Sequence, residues 1–307
     1  MFIKRKNMKM LKKIGNRLRL IIKLTSLKLH YKDSLVFIAA SGIGDLCYAL
    51  SFIEDIKAKT NKKVVALTRG YTCEALSAFP AVDKIVIMKS KDADFFYNCE
   101  LPEKMRPVFN GYSLKQGVFI CTPLTEDIYD YIKNGKTNYI DILKESLAEL
   151  EPTHITYPVV PDIDIGRFSF SDINKTVIIN PYSNSLSVEK TDLFEKIAML
   201  LNNKGYSVYT NTVGNQKAVE GTQRLECTLS ELYNISGQCA AFISIRSGIL
   251  DFMIGNGGRY ISIYDTAWNN KFMEAYSLKG WNTESSVYEF LFSRENELLR
   301  FIDTWLK

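Results

Sequence analysis

The fold is decided by residues 34–45, which read SLVFIAASGIGD. The apolar run from Leu35 to Ala40 predicts a buried strand, and the amphipathic stretch from Asp45 to Lys59 predicts a helix. Gly42 and Gly44 lie in the short turn between them. A buried strand that turns through small residues into a helix is the start of a βα unit, so this stretch predicts an α/β fold with a parallel sheet.

The same alternation continues along the chain in two blocks. The further predicted strands are Lys63 to Thr68, Lys84 to Met88, Gln116 to Cys121, Thr176 to Asn180, Tyr206 to Thr210, Ala240 to Ser244 and Tyr260 to Tyr264. The further predicted helices are Thr72 to Phe79, Tyr139 to Leu150, Val188 to Asn203, Thr228 to Gln238, Ile249 to Ile254 and Arg294 to Trp305. The sequence does not decide whether the last helix packs back across the first block.

Between the blocks, residues 151–174 contain three prolines and lose the alternation, which predicts an interdomain linker. The predicted organisation is a basic segment 1–33, an N-terminal Rossmann-like domain 34–160 and a C-terminal Rossmann-like domain 161–307. Two doubly wound domains of this kind are expected to face each other across a cleft.

Composition limits the chemistry. Of 307 residues, 46% are hydrophobic, and six cysteines stand singly without a CxxC pair, so neither a zinc ribbon nor a disulfide framework is indicated. Only two histidines are present. Carboxylates, hydroxyls, arginines and backbone amides therefore have to carry the chemistry, and a reducing cytoplasm is the expected compartment.

The charge is concentrated at the N-terminus. Residues 1–33 hold 11 Lys and Arg against one acid, a net charge of +10, whereas the whole chain carries +5, so the remaining residues carry −5. An acidic body disfavours a nucleic-acid partner. Apolar residues recur at helical spacing in the segment, at Met8, Leu11, Ile14, Leu18, Ile21 and Ile22. Residues 1–30 thus predict an amphipathic helix on an anionic membrane surface. A helix that packs on its own domain, and a nucleic-acid arm, are the alternatives.

Ligands of parallel sheets bind beyond the carboxyl ends of the strands, which directs attention first to Ser41-Gly42-Ile43-Gly44-Asp45. The glycines allow close backbone approach, and Asp45 at a helix start is a candidate general base. The alternative is that Asp45 only caps the helix. The third glycine of a dinucleotide fingerprint is missing, which disfavours an NAD-dependent oxidoreductase.

Two loops of the second block are candidates for binding a diphosphate. Arg246, Ser247 and Gly248 follow a predicted strand at a helix start, where amides and a guanidinium suit phosphate oxygens. Ser183 and Asn184 follow another strand, and Lys190 stands nearby in sequence. The alternative for the first loop is a capped turn with an exposed Arg246. The alternatives for the second are an ordinary polar loop at Ser183 and Asn184 and a solvated Lys190.

Together these places resemble the bacterial heptosyltransferase-like glycosyltransferases of family 9, within the GT-B superfamily. Ser41, Gly44 and Asp45 match the family's Ser-x-Gly-Asp segment, whose aspartate is the expected base. Further similarity lies in Asn180-Pro181-Tyr182, Lys204-Gly205-Tyr206-Ser207-Val208 and Thr228-Leu229-Ser230-Glu231-Leu232. In the donor-phosphate loop Ser247 and Gly248 remain, while Arg246 replaces an acid and Asp251 replaces a histidine, which puts heptose and ADP in doubt.

The resemblance implies an inverting glycosyltransferase that needs no metal or other cofactor. Asp45 is expected to deprotonate the acceptor hydroxyl, and Arg246, Ser247, Gly248, Asp251, Ser183, Asn184 and Lys190 are expected to bind the nucleotide-diphosphate sugar. The acceptor is expected to be a lipid-linked surface glycan of lipopolysaccharide or capsule type, at the inner face of the cytoplasmic membrane. The alternative function is a noncatalytic peripheral protein of the same fold that binds a nucleotide or glycan.

Overall fold

The structure is a computed structural model that describes residues 2–39, 42–97, 117–121, 138–147, 151–183, 191–265 and 270–306. The chain divides into two compact units, Met1–Thr156 and Tyr157–Lys307. The division lies inside the predicted linker. Each unit contains a parallel sheet with helices between its strands.

Unit 1 contains a four-stranded sheet of order β3-β2-β1-β4, in which all three strand pairs are parallel. Its strands are β1 (Ser34–Ala39), β2 (Lys63–Thr68), β3 (Lys84–Ile87) and β4 (Val118–Cys121). Its described helices are α1 (Phe2–His30), α2 (Ile43–Leu50), α3 (Ile53–Thr60), α4 (Cys73–Ser77), α5 (Ser90–Tyr97) and α6 (Tyr139–Ser146).

Unit 2 contains a six-stranded sheet of order β10-β9-β8-β5-β6-β7, again parallel throughout. Its strands are β5 (Thr176–Asn180), β6 (Ser207–Asn211), β7 (Gln223–Leu225), β8 (Ala241–Ile245), β9 (Arg259–Tyr264) and β10 (Ser286–Leu291). Its described helices are α7 (Thr191–Asn203), α8 (Leu229–Gln238), α9 (Gly248–Met253), α10 (Asn270–Ala275) and α11 (Glu295–Trp305).

The central strands are buried along almost their whole length, as is typical of parallel sheets with helices on both faces. Every residue of β5 and β8 is buried, as are five of six in β1 and in β2. The last helix, whose packing the sequence left open, belongs to the core of unit 2 through Leu298 and Ile302, which pack with Val177 and Ile179. The sequence missed α5, α10 and the edge strands β7 and β10.

Helix α1 is docked on unit 1. Leu20 and Leu24 are buried in one cluster with Val36, Ile38 and Val65 of the sheet. The sequence left packing on its own domain as an alternative, and residues 20–27 adopt it. In the predicted apolar set, Ile14, Leu18, Ile21 and Ile22 are exposed, whereas the side chains of Met8 and Leu11 lie outside the described residues. Among the described residues, every helix is too short or too polar to cross a membrane.

The helix predicted from Asp45 to Lys59 is broken into α2 and α3 at Ser51 and Phe52. The break receives the end of the first unit's chain, because Thr156 N donates to Ser51 O at 2.6 Å and Glu54 N donates to Thr156 Oγ1 at 3.3 Å. A continuous helix would use these backbone groups internally, so the sequence pattern alone could not reveal the break.

The predicted linker is held by hydrogen bonds at both ends. In unit 1, Asp55 Oδ2 accepts from the backbone N–H of Thr153 at 2.6 Å and of His154 at 3.0 Å. In unit 2, Tyr233 donates through its hydroxyl to Pro158 O at 3.2 Å, and Asn234 Nδ2 donates to Pro161 O at 3.1 Å.

Candidate functional site

The sheet of unit 2 has a topological switch point between β5 and β8. From β5 the chain moves outward through β6 to β7, and it then returns to the other side of β5 and continues through β8 to β10. Asn180, at the end of β5, pairs in register with Ser244 of β8. Ligands of open α/β sheets bind at such a point, beyond the carboxyl ends of the strands. The loops after Asn180 and after Ile245, predicted separately from the sequence, therefore meet at one place.

Below these loops lies a buried layer of amides and a hydroxyl. Asn180 Nδ2 donates to Ser244 Oγ at 2.9 Å, and Asn211 Nδ2 donates to Asn180 Oδ1 at 2.8 Å. All three residues are buried, so each hydrogen bond forms away from water and its loss would leave an unsatisfied group. The layer joins the ends of β5, β6 and β8. Asn211 was not among the site residues predicted from the sequence, although an asparagine at the carboxyl end of a buried strand is a usable signal.

Arg246 and Asp251 form an internal ion pair. Arg246 Nη2 lies 2.6 Å from Asp251 Oδ1 and Arg246 Nη1 lies 2.9 Å from Asp251 Oδ2, and the two side chains are 4% and 3% exposed. The sequence predicts that both groups bind the donor diphosphate, and in the structure the two side chains bind each other and are buried. The physical reason is that a planar guanidinium and a carboxylate pair in two parallel hydrogen bonds, which compensates for the removal of both charges from water.

The ion pair belongs to a larger network. Arg246 Nε donates to Tyr276 O at 3.1 Å, and the indole of Trp281 donates to Asp251 Oδ1 at 3.3 Å. Tyr264 donates to Glu289 Oε1 at 2.6 Å, and burial raises the pKa of Tyr264 well above its usual value, so its hydroxyl stays protonated. The network fixes the loop after β8 to the segment that follows α10.

Ser247 presents an unsatisfied hydroxyl at the switch point. It is the N-cap of α9, yet its Oγ makes no capping bond, and among the described residues it is one of two buried side-chain oxygens without a hydrogen-bond partner. The other, Ser262 Oγ, lies within β9. Gly248 follows as the first helical residue. A buried hydroxyl without a partner is costly, so a ligand oxygen at Ser247 would be favourable.

The loop after β5 is only partly described. Tyr182 donates through its hydroxyl to Lys217 O at 2.7 Å, and Ser183 is half-buried. Asn184 and Lys190, both predicted to bind the donor, lie outside the described residues.

The sheet of unit 1 has its own switch point between β1 and β4. Helix α2 begins there, with Gly42 as its N-cap in an extended conformation and without a side-chain capping bond. Asp45 is therefore the third residue of the helix, and the alternative that it is the N-cap is wrong. Gly44, which precedes Asp45, is half-buried, and Ser41 lies outside the described residues.

The carboxylate of Asp45 is turned back toward the start of α2. Its Oδ2 lies 4.0 Å from the position that a Cβ on Gly42 would occupy, and the residue is half-buried. The first N–H groups of a helix stabilise a negative charge in this position. The geometry keeps a carboxylate at the carboxyl end of β1, where a substrate of this unit would lie.

Among the described residues, no group of three or more histidines, cysteines, aspartates or glutamates could hold a metal ion. The Asp162-Ile163-Asp164 segment has the letters of a metal motif, but both aspartates are exposed in the predicted linker, and Asp164 Oδ1 accepts from Gly166 N at 2.8 Å.

No protein-family model matches the chain, and no curated protein matches it. Solved structures do. The chain is 12% identical to the glycosyl transferase family 9 protein of Veillonella parvula, with a TM-score of 0.58 and 89% of each chain covered. It is 12% identical to the E. coli ADP-heptose LPS heptosyltransferase II, with a TM-score of 0.59. That match covers 89% of this chain and 98% of the heptosyltransferase chain.

A third similar structure is the E. coli heptosyltransferase WaaC with ADP, at 12% identity and a TM-score of 0.55, with 87% of this chain and 98% of that one covered. The E. coli glycosyltransferase TibC, described as iron-containing and dodecameric, matches at 14% identity and a TM-score of 0.50 over 81% of this chain and 63% of that one. At such identities the likeness shows the fold. The chain therefore has the α/β fold of the family 9 heptosyltransferases, and the resemblance read from its sequence is confirmed.

Proposed function

We propose that the chain is an inverting glycosyltransferase that moves a sugar from a nucleotide-diphosphate donor to a hydroxyl of a surface glycan. The observation that carries the proposal is the pair of polar switch points. Unit 1 holds a carboxylate at the end of its central strand, and unit 2 holds an unsatisfied hydroxyl at the end of its own. We propose that unit 1 binds the acceptor and unit 2 binds the donor.

Asp45 is proposed as the general base. A carboxylate within hydrogen-bond reach of the acceptor hydroxyl removes its proton as the oxygen attacks the anomeric carbon, while the bond to the diphosphate breaks on the opposite face. The attack inverts the configuration at that carbon. A Cβ at position 42 would lie 4.0 Å from Asp45 Oδ2, so a glycine there leaves more room for the approach of a hydroxyl, which supports the proposal.

The donor diphosphate is proposed to bind Ser247 Oγ, the backbone of Gly248, and Ser183. Arg246 and Asp251, which the sequence predicts to bind the donor, are proposed instead to hold the loop in place through their ion pair. Hydroxyl and backbone dipoles that are fixed in advance stabilise the negative charge that develops on a leaving diphosphate without further rearrangement.

Metal independence is also a proposal. Since Asp251 neutralises Arg246, we propose that Lys190 is the residue of the predicted set that supplies positive charge to the leaving diphosphate, and that Asn184 contributes to the same site. The polar donors at the switch point support this arrangement. A test is transfer in the presence of a chelator, with unchanged activity expected.

The acceptor is proposed to be a lipid-linked glycan of lipopolysaccharide or capsule type, and the protein is proposed to work at the inner face of the cytoplasmic membrane. The net charge of +10 on residues 1–33 supports this location, because that face attracts basic segments.

The donor site is tested by a thermal-shift panel of nucleoside diphosphates and their sugars on the full chain. A ligand at 100 times its dissociation constant is expected to stabilise the protein by about 2.7 kcal/mol. For the best ligand, Ser247→Ala is expected to weaken binding about 10- to 100-fold, since a hydrogen bond to a charged group is lost. Ser262→Ala is the matched control, because it removes the other unpartnered hydroxyl and should leave the affinity unchanged. Equal affinities of both variants would contradict the site.

A further inference from the structure

Helix α1 has two apolar faces over the part whose side chains are described. Leu20 and Leu24 are buried against the sheet of unit 1, and Leu27 packs beside them. A second set of large aliphatic residues is 49% to 74% exposed, and we call it the exposed stripe: Ile14, Leu18, Ile21, Ile22 and Leu29.

The exposed stripe lies on the side of the helix away from the protein. At about 100° per residue, its five members fall within an arc of roughly 100°, and the centre of the docked face lies about 145° away. Packing of the docked face thus explains the burial of Leu20 and Leu24 and leaves the stripe without a partner in the described structure. Surface aliphatics grouped in this way mark an interaction site, whereas scattered ones do not.

Two basic residues of the helix serve to anchor it. Lys23 Nζ lies 2.6 Å from Asp92 Oδ1, and the Arg19 guanidinium lies 4.6 Å from the centre of the Phe95 ring. Both contacts are made to α5. The helix is therefore held on unit 1 by an ion pair, a cation–π contact and apolar packing, so that the direction of the stripe is fixed relative to the Asp45 loop of the same unit.

Charge selects the partner of the exposed stripe. Residues 2–30 contain no acid, and residues 1–33 carry +10. A second copy of the chain would bring two such helices together and meet strong repulsion, and a nucleic acid would leave five aliphatic side chains in water. An anionic bilayer accepts both features, because its headgroups attract the cations and its acyl region takes the aliphatic side chains.

We infer that α1 attaches unit 1 to a membrane. Its docked face packs on unit 1, and its exposed stripe inserts into an anionic lipid surface. The inference rests on the membrane location proposed above and gives it an orientation, in which the acceptor unit, through α1, lies against the membrane. It does not depend on the reaction, so binding to vesicles and binding of nucleotide are measured separately.

The test is flotation of the full chain with phosphatidylglycerol-containing vesicles, beside vesicles of phosphatidylcholine alone. The variant Leu18→Gln, Ile21→Gln, Ile22→Gln keeps good helix formers and removes the middle of the stripe. Its affinity for the anionic vesicles is expected to fall at least about 100-fold, since each aliphatic side chain inserted in the acyl region is worth roughly a factor of ten.

The matched control is Met199→Gln with Val213→Gln, which removes two aliphatic side chains of similar exposure, 62% and 67%, from unit 2. This control should bind vesicles as the unmodified chain does, and both variants should keep its thermal midpoint and nucleotide affinity. The inference is overturned if the unmodified chain fails to bind anionic vesicles, or if the stripe variant binds them equally well. It is also overturned if the stripe variant only converts a dimer to a monomer, because a second copy then covers the stripe.

The orientation is tested by adding one tryptophan on either side of α1 and measuring its quenching by brominated lipid as the change from the unmodified chain, which has three tryptophans of its own. The two variants are Leu18→Trp and Asn16→Trp. Leu18 belongs to the stripe, whereas Asn16 is exposed on the opposite side of the helix. Quenching at position 18 and little at position 16 is expected. Equal quenching at both would contradict a docked helix.

Discussion

The two switch points are built in opposite ways. At the carboxyl edge of the unit 2 sheet, Asn180, Asn211 and Ser244 bond the ends of three strands into one buried polar layer, and a buried ion pair joins Arg246 to Asp251. At the edge of unit 1, a glycine N-cap and a half-buried aspartate stand at the start of α2. In unit 2 the polar side chains are buried and hold a loop in place, whereas in unit 1 the polar side chain lies at the surface.

The difference fits a division of labour. A diphosphate needs donors that are fixed before it arrives, and a buried network fixes them. A general base has to reach an acceptor hydroxyl, which requires exposure more than rigidity. Substitutions at the two edges should therefore separate stability from chemistry.

The largest effect on stability is expected from Arg246→Met. Removal of the guanidinium leaves the Asp251 carboxylate buried without its partner, which typically costs about 3–5 kcal/mol. Urea unfolding at pH 7 measures the free energy of unfolding. Asp45→Asn is the comparison in unit 1, and its cost is expected to stay within about 0.5 kcal/mol.

The double variant Arg246→Met with Asp251→Leu controls for the stranded charge. It should be more stable than Arg246→Met alone, because no charge remains buried without a partner. If all three variants unfold alike, the ion pair does not hold the unit 2 edge.

A smaller loss is expected from Asn211→Ala. It leaves Asn180 Oδ1 without its hydrogen bond inside the protein, at a cost of about 1–3 kcal/mol. Asn202→Ala is the matched control, since Asn202 Nδ2 donates to Gly221 O at 2.8 Å at an exposed position. Chemical denaturation of both variants should rank Asn211 well above Asn202, and the reverse order would show that burial of the layer is not what stabilises it.

The smallest effect on stability is expected from the Asp83 carboxyl of unit 1, and it depends on pH. The hydrogen bond from Lys57, followed by that from Val64 N, lowers the pKa of Asp83 below its ordinary value. A carboxyl with a lowered pKa in the folded state stabilises the protein above its unfolded pKa of about 4, and the contribution is lost as the pH falls through the folded value. Its size is under about 1 kcal/mol, since the pair is partly exposed.

Asp83→Asn should therefore reduce the free energy of unfolding at pH 7 and have little effect once Asp83 itself is protonated. Equal losses at neutral and strongly acid pH would show that the charge of Asp83 is not responsible.

Much of the fold could be predicted from the sequence because buried parallel strands are continuous apolar runs. The runs at Leu35, Lys63 and Thr176 predicted β1, β2 and β5 to within a residue or two, and the helix predicted from Thr228 is α8, with Thr228 as its N-cap. Edge strands such as β7 are short and half-polar, so they gave no such signal.

The candidate site was predictable in place and less so in detail. Strand ends pointed to Asp45, Asn180 and Ser247, because ligands of parallel sheets bind there. The partner of Arg246 could not be read from the sequence, since a guanidinium five residues before a carboxylate suits either a ligand or an internal pair. The two faces of α1 also required the structure, because both are apolar and only one touches the sheet.

The most direct measurement compares turnover with donor binding in Asp45→Asn. With the nucleotide sugar that best stabilises the chain, transfer is expected to fall about 10²- to 10⁴-fold, while the dissociation constant for the nucleoside diphosphate and the thermal midpoint stay unchanged. Retained transfer would remove Asp45 as the base. Absence of transfer by the unmodified chain, with nucleotide binding intact, would favour the noncatalytic alternative and contradict a glycosyltransferase.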